Sequence, residues 1–484
     1  MTPPLVSLCI VAAIVVLAIA LGMYGARGRL VDPQEYIVGG RSFGALFLWL
    51  LLAGEIYTSF TFLGAAGWAY GKGAPAFYII CYGAVAYIVS YFLLPPIWEI
   101  AKRRQLLTGP DFFAWRYSSR ALGVLTALIG FVFLIPYVTL QLTGLQILLT
   151  IAGYGAFDAK AAVLVAFSLI ALFVFAVGLR GTAWAAVVKD ALVLVAVCFA
   201  GIALPVHFFG SPAHVIAKVM AAKPGWLTLS GSTPTNGTTW FVSTVILSAL
   251  GFFMWPGSMA AAYAARDADT LRRNAIFLPL YQLMLLLVYF AGFTALLILP
   301  GMKGAAADRS FMLVVQRFYP PWVLGSVAAA GCLAALVPAA SQTLAAASII
   351  SKNVLGDWLG LALTDRGRLR ATRVLVLITA ACALALWLGA KTTLVDLLLI
   401  GYNGITQFFP GVVLGLVWPR ASAWGVGAGI IVGIGIVAWS AAAAMPTIAQ
   451  LNSGLVALGA NALVCIGVSL ATRPRVAAAP AAQT

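Results

Sequence analysis

Apolar residues run through this chain in blocks of about twenty, separated by short segments rich in Arg, Gly, Pro and Asp. A window of about 19 residues picks out thirteen blocks, centred near residues 14, 55, 87, 134, 170, 196, 250, 287, 335, 380, 405, 433 and 462. Blocks of this length suit helices, which satisfy their own backbone hydrogen bonds in lipid. The pattern predicts an all-α polytopic membrane protein with 13 transmembrane helices and no room for a second soluble domain. A single transporter domain is expected over residues 1–475, with spans two to eleven as its core at about 43–418. The Ala/Pro-rich stretch 476–484 reads as a disordered cytoplasmic tail.

Two blocks are interrupted at mid-depth. The second, about Phe43 to Trp68, carries Gly54-Glu55 near its centre, followed by Tyr57, Thr58, Ser59 and Thr61. A carboxylate there costs roughly 2.5–3.5 kcal/mol and needs a partner, a proton or a water-filled cavity. The seventh carries Trp255-Pro256-Gly257 at the same depth. Pro removes a helix hydrogen bond, and the freed backbone survives only in protein or beside a cavity. The breaks lie five spans apart, so they point in opposite directions. That spacing predicts two inverted five-helix repeats, spans two to six and seven to eleven, with broken helices at the centre. A further break is expected at Gln407-Phe408-Phe409-Pro410-Gly411, and Gly425, Gly429 and Gly433 at four-residue spacing predict a close-packing helix face.

Composition narrows the class. Hydrophobic residues make up 63% of the chain, charged residues 9%, and the mean hydropathy is +1.03. The net charge of +16 would suit nucleic acid in a soluble protein. Here 21 of the 29 basic residues fall in alternate loops, which argues for a positive-inside membrane protein with its N-terminus outside and C-terminus inside. Lys189 is counted there as a loop residue. The first block has no basic residue before it and reads as a retained helix rather than a signal peptide. The loop at about 209–238 is irregular, with a short helix at Ala213–Ala222. Six cysteines fall in apolar blocks with no metal or redox spacing, so no disulfide, metal or cofactor is expected. Two histidines, both beside the long loop, leave no catalytic or haem constellation, so the chain is not read as an enzyme. One mid-depth acid on a broken helix suits alternating access better than a channel. The expected partners are a small anionic solute and the lipid bilayer, with no nucleic acid.

Several motifs resemble the sodium:solute symporters. They are Gly39-Gly40-Arg41, Phe62-Leu63-Gly64-Ala65-Ala66-Gly67, Tyr137-Val138-Thr139-Leu140-Gln141, Lys189-Asp190 and the stretch Ser348 to Asn353. Gly54-Glu55-Ile56-Tyr57-Thr58, Gly67-Trp68-Ala69-Tyr70-Gly71, Arg272-Arg273-Asn274-Ala275 and Ala335-Leu336-Val337-Pro338-Ala339 look most like the monocarboxylate (lactate/pyruvate) permeases within that family. The resemblance implies import of small monocarboxylates such as pyruvate, lactate or acetate across a bacterial-type inner membrane.

The resemblance also implies a sodium site, and there this sequence departs. The family's carbonyl ligands map to Gly54 and Tyr57, but its two hydroxyl ligands map to Val337 and Pro338, which carry no side-chain oxygen. A hard cation needs oxygen ligands. Pro338 frees the carbonyl of Ala334, and Ser341 lies one turn on, so a rebuilt sodium site stays open. Desolvation favours the neutral form of a carboxyl group, so H+ carried by Glu55 is favoured over Na+ as the coupling ion, with Asp190 in the ion path. The alternative is a sodium-coupled symporter of another small solute, such as an amino acid, short-chain acid or haloacid. Tyr57, Thr58, Ser59, Thr61, Gln141 and Trp255 are the substrate-site candidates. Without a mid-depth arginine, the anion is expected to rest on half-helix N-termini and hydroxyls. Arg41, Pro256 and Gly257 are the gating candidates.

Overall fold

The computed structural model describes residues 2–26, 38–156, 158–229, 236–361, 364–389 and 392–472, and within these it leaves out the side chains of 26, 55–56, 176–180 and 365–366. The tail at 476–484 lies outside the described residues. The described chain is almost wholly helical. A two-residue antiparallel hairpin, Thr447–Ile448 against Leu451–Asn452, joins the last two long helices. Its turn residues Ala449 and Gln450 both have positive φ, the twist a two-residue hairpin loop requires.

Ten described helices are long and apolar enough to cross a membrane, and the bent pair Thr238–Gly251 and Pro256–Tyr263 makes an eleventh. The predicted thirteen is therefore not reached. Two of the sequence blocks appear as shorter apolar helices, Ala45–Gly54 and Ala159–Phe175. The first is short because its block really is broken. The second belongs to an unbroken helical run, Ala159–Cys198, which places Lys189 inside an apolar helix rather than in a loop.

The fold sorts helices by their partners. Pro321–Ile349 is the most deeply buried: every residue from Val327 to Ile349 is buried. Its small residues let Pro3–Ala26, Arg120–Ala152 and Ala159–Cys198 approach it closely. Outer faces carry exposed Leu, Ile, Val and Phe, as expected where lipid is the solvent. The Gly425/Gly429/Gly433 stripe packs as its spacing predicted. A Cβ at these positions would strike Ser469, Asn461 and Gln407. The helix Pro212–Ala222 forms at the predicted place in the long loop.

Candidate functional site

The first break falls two to three residues after Glu55, at Tyr57–Thr58, and not at Gly54-Glu55. The helix Ala45–Ile56 closes when Tyr57 N–H donates to Ala53 O at 3.1 Å. The next amide leaves the ladder: Thr58 N–H donates to Thr61 Oγ1 at 2.9 Å. Thr61 Oγ1 donates back to Thr58 O at 3.0 Å, and Thr58 Oγ1 accepts from Phe60 N at 3.0 Å. Side-chain hydroxyls that compete for backbone groups favour caps and turns, and here they also cap the next half-helix. That half starts as a π turn, Phe60–Gly64, and continues as Ala65–Lys72. The backbone of Glu55 lies in the last turn of the first half-helix, and its side chain lies outside the described residues.

Ser59 is held from across the bundle. Gln141 Oε1 accepts from Ser59 Oγ at 2.6 Å and from Ser59 N at 3.3 Å. Gly144, three residues further along the Arg120–Ala152 helix, lies so close that any Cβ would strike Ser59. The other amide atom, Gln141 Nε2, is buried and has no acceptor among the described residues. Thr139 points elsewhere, donating to Ile135 O and to Ala383 O at 3.1 Å.

The second break lies where Pro and Gly predicted it, with a 46° bend between Thr238–Gly251 and Pro256–Tyr263. Trp255 caps the second half in extended backbone geometry. Its buried ring packs between Tyr137 and Tyr402, with centroids 5.3 Å from each. Gly257 N–H donates to Gln342 Oε1 at 3.1 Å, and a Cβ on Gly257 would strike the same side chain. At both half-helix N-termini, where a substrate carboxylate is expected with hydroxyls beside it, a side chain already takes one amide. One end is capped by its own threonines and the other has Gln342 against it.

Tyr137 and Gln141 are four residues apart on one helix and so share a face. One touches the second break and the other holds the first. The Arg120–Ala152 helix thus brings the two breaks to a common wall.

A pair of charges lies on the other side of the first break. Lys189 is fully buried, and its Nζ is 2.7 Å from Asp190 Oδ1. The sequence leaves room for an exposed pair at a helix end, and that reading is corrected. Tyr281 Oη donates to Asp190 Oδ1 at 3.3 Å, while Tyr57 Oη donates to Tyr281 O at 3.2 Å and the two rings meet at 4.6 Å. Asp190 is therefore linked to the break through Tyr281. Lys189 Nζ lies 3.3 Å from where a Cβ on Gly54 would stand. A cation at this depth is what sequence reasoning missed. It looked only for arginine and placed Lys189 in a loop. The signal was an unbroken apolar run on both sides of Lys189-Asp190.

Span nine stays helical through Pro338, which leaves Ala334 O without its usual donor, and Ser341 Oγ donates to Pro338 O at 3.0 Å. The third predicted interruption is a single 3-10 turn, Thr406–Phe408, whose Gln407 packs against the last helix through Asn461 and Gly454 O.

At the loop end of the bundle a second polar cluster ties several segments together. Arg41 donates to Leu106 O and to Tyr263 O, so it ties three segments together. Asp111 Oδ2 accepts from Leu107 N and Thr108 N, completing a capping box on Gly109–Arg116. Its Oδ1 accepts from Lys352 Nζ at 2.7 Å and from Asn353 Nδ2. Lys352 also reaches Asp357 Oδ2 at 2.9 Å. Between this cluster and the second break lies a small cavity with room for about 20 Å³, lined by Pro110, Phe113, Thr126, Met254, Pro256 and Phe408 among others. The cluster joins residues about 240 positions apart, which no local pattern could pair.

Comparison with known proteins agrees with this architecture. Residues 36–433 match the sodium:solute symporter family. The chain is 41% identical, over 98% of both sequences, to an uncharacterized symporter, YhjB, of Bacillus subtilis. It is 30% identical, over 94% of both, to a monocarboxylate transport permease protein of Rhizobium johnstonii. A solved sodium-coupled sialic acid symporter superimposes with a TM-score of 0.79 at 16% identity, covering 97% of this chain and 98% of that one. With most of its length matched and its helices arranged in a transporter fold, this chain is a multi-pass membrane protein that belongs to the sodium:solute symporter family.

Proposed function

We propose that this chain imports small monocarboxylates such as pyruvate, lactate or acetate by alternating access, with protons entering through Glu55. The observation that carries the reading is Gln141 Nε2, a buried donor at the first break with no acceptor among the described residues. Leaving such a group unpaired costs about 1–3 kcal/mol, and a carboxylate oxygen would repay it. Tyr57, Thr58, Ser59 and Thr61 shape the joint around that point, and Trp255 with Tyr137 and Tyr402 gives an apolar wall for a short alkyl tail. The name of the Rhizobium relative favours the same substrate class.

Coupling is assigned to Glu55, Gly54, Tyr57, Asp190, Ala334 and Ser341, and gating to Arg41, Pro256 and Gly257. The proton is preferred over sodium because Val337 and Pro338 bring no side-chain oxygen to a hard cation. Spans two to six and seven to eleven form the inverted repeats, and the N-terminus lies outside a bacterial-type cytoplasmic membrane. Uptake of labelled pyruvate and lactate into proteoliposomes tests this, under an imposed pH gradient and separately under a sodium gradient. Accumulation driven by the pH gradient and lost in Glu55→Gln is expected. Sodium-driven uptake that survives the substitution would overturn the proton reading in favour of a sodium-coupled symporter of a small solute.

A further inference from the structure

We infer that the Lys189 ammonium is a built-in cation, standing at the first break where the family resemblance implies a sodium ion, so that this chain binds no sodium there. Three observations converge on it.

First, the charge is set deep in the protein. Dehydrating an ammonium costs several kcal/mol, which has to be repaid by close opposite charge. Asp190 at 2.7 Å repays part of it. Adjacent residues on a helix point about 100° apart, yet here Asp190 reaches Tyr281 and Lys189 Nζ lies beside Gly54.

Second, the ammonium sits beside the open end of a helix. Thr58 N–H is the amide that would close the ladder on the carbonyl of Gly54, and it is given to Thr61 Oγ1 instead. The last carbonyls of the 12-residue helix Ala45–Ile56 are left at its negative dipole end. Lys189 Nζ lies 3.3 Å from the missing Cβ of Gly54. Any larger residue at 54 would press on it.

Third, the positions onto which the resemblance maps the family's hydroxyl ligands do not suit a metal. Val337 and Pro338 carry no side-chain oxygen. A hard ion needs several oxygen ligands, whereas the ammonium is met here by one carboxylate, Asp190, among the described residues.

The inference rests on the reading above that sodium does not drive the chain, but its test needs no transported substrate. Purified protein is assayed for binding of radioactive sodium, and for thermal unfolding in sodium chloride against choline chloride at equal ionic strength. Wild type and Lys189→Arg are expected to bind no sodium saturably and to unfold at the same temperature in both salts. Lys189→Thr restores a small oxygen ligand, and a sodium-dependent rise of several degrees in its Tm is expected. Saturable sodium binding by the wild type overturns the inference. So does a Lys189→Thr protein that folds and yet ignores sodium. If Lys189→Thr does not fold in either salt, refolding yield in sodium against choline replaces Tm, and no difference again overturns it. A chain that ignores sodium but takes up no monocarboxylate would leave Lys189 in this role and sink only the substrate.

Discussion

Gln141 Oε1 accepts from both the hydroxyl and the backbone N–H of Ser59. One side chain therefore fixes the N-cap residue of the second half-helix and keeps a free donor beside it. The two functions separate by mutation. Ser59→Ala removes one hydrogen bond and is expected to lower Tm slightly with little change in KM. Gln141→Leu also removes the donor. A hydrogen bond to a charged group contributes about 1.5–3 kcal/mol, so its KM for a monocarboxylate should rise roughly ten-fold or more. Initial uptake rates against concentration, read beside Tm, check both. Equal KM in the two variants would remove Gln141 from the substrate site.

Thr61 closes the break on itself. Thr61→Val loses the acceptor for Thr58 N and the donor to Thr58 O, and caps of this kind contribute about 0.5–2 kcal/mol. Thermal unfolding should show a clear loss for Thr61→Val and near-wild-type behaviour for Thr61→Ser.

Asp190→Asn leaves the Lys189 charge buried with no charged partner among the described residues. Breaking a buried pair from one side costs about 3–5 kcal/mol, so this variant should purify poorly. Lys189→Gln with Asp190→Asn removes both charges and should recover much of the folded yield by size-exclusion chromatography. Tyr281→Phe keeps the ring on Tyr57 and the carbonyl that Tyr57 uses. It cuts only the 3.3 Å link to Asp190. Its Tm should stay near wild type while the uptake rate drops several-fold.

Asp308 offers a pH handle outside the spans. Its buried carboxyl accepts from Leu394 N at 2.9 Å, and its other oxygen has no partner among the described residues. Burial, with Asp396 adding to it and the Leu394 amide opposing it, pushes its pKa well above the usual carboxylate range. A raised pKa in the folded state means that folding holds the proton. The stabilisation is full below the unfolded value of about 3.9 and is lost as pH rises through the folded value. Unfolding followed from pH 5 upward should show a decline that Asp308→Asn flattens. An unchanged slope in that variant would exclude Asp308 as its source.

The loop-end cluster predicts a change in access. Asp111→Ala removes one partner of Lys352 and of Asn353, leaving Asp357 to both, and removes half of a capping box. In a background without native cysteines, Thr126→Cys reports on the small cavity behind the cluster. Its labelling by a membrane-impermeant maleimide from the loop side should rise several-fold when Asp111→Ala is added.

How much of this could be read from the chain depends on the range of the interaction. The break at Pro256 was legible because Pro lacks an N–H, a property of one residue. The break near Glu55 was legible as a region but misplaced. The charge drew attention, while Thr58 and Thr61 made the break through hydroxyls that captured amides. Lys189 was misplaced because charge counting assigns basic residues to loops, whereas a carboxylate one residue away lets an ammonium stay inside. Lys352 and Asp111 meet only through the fold.

Tyr137 and Gln141 give the bridging helix a mechanical character. They are separated by about 6 Å of rise, and each leans on a different joint. Tilting that short length of rod shifts the seat of both joints in the same stroke. The two breaks are thus geared rather than independently hinged, and one cannot swing far while the other stays still.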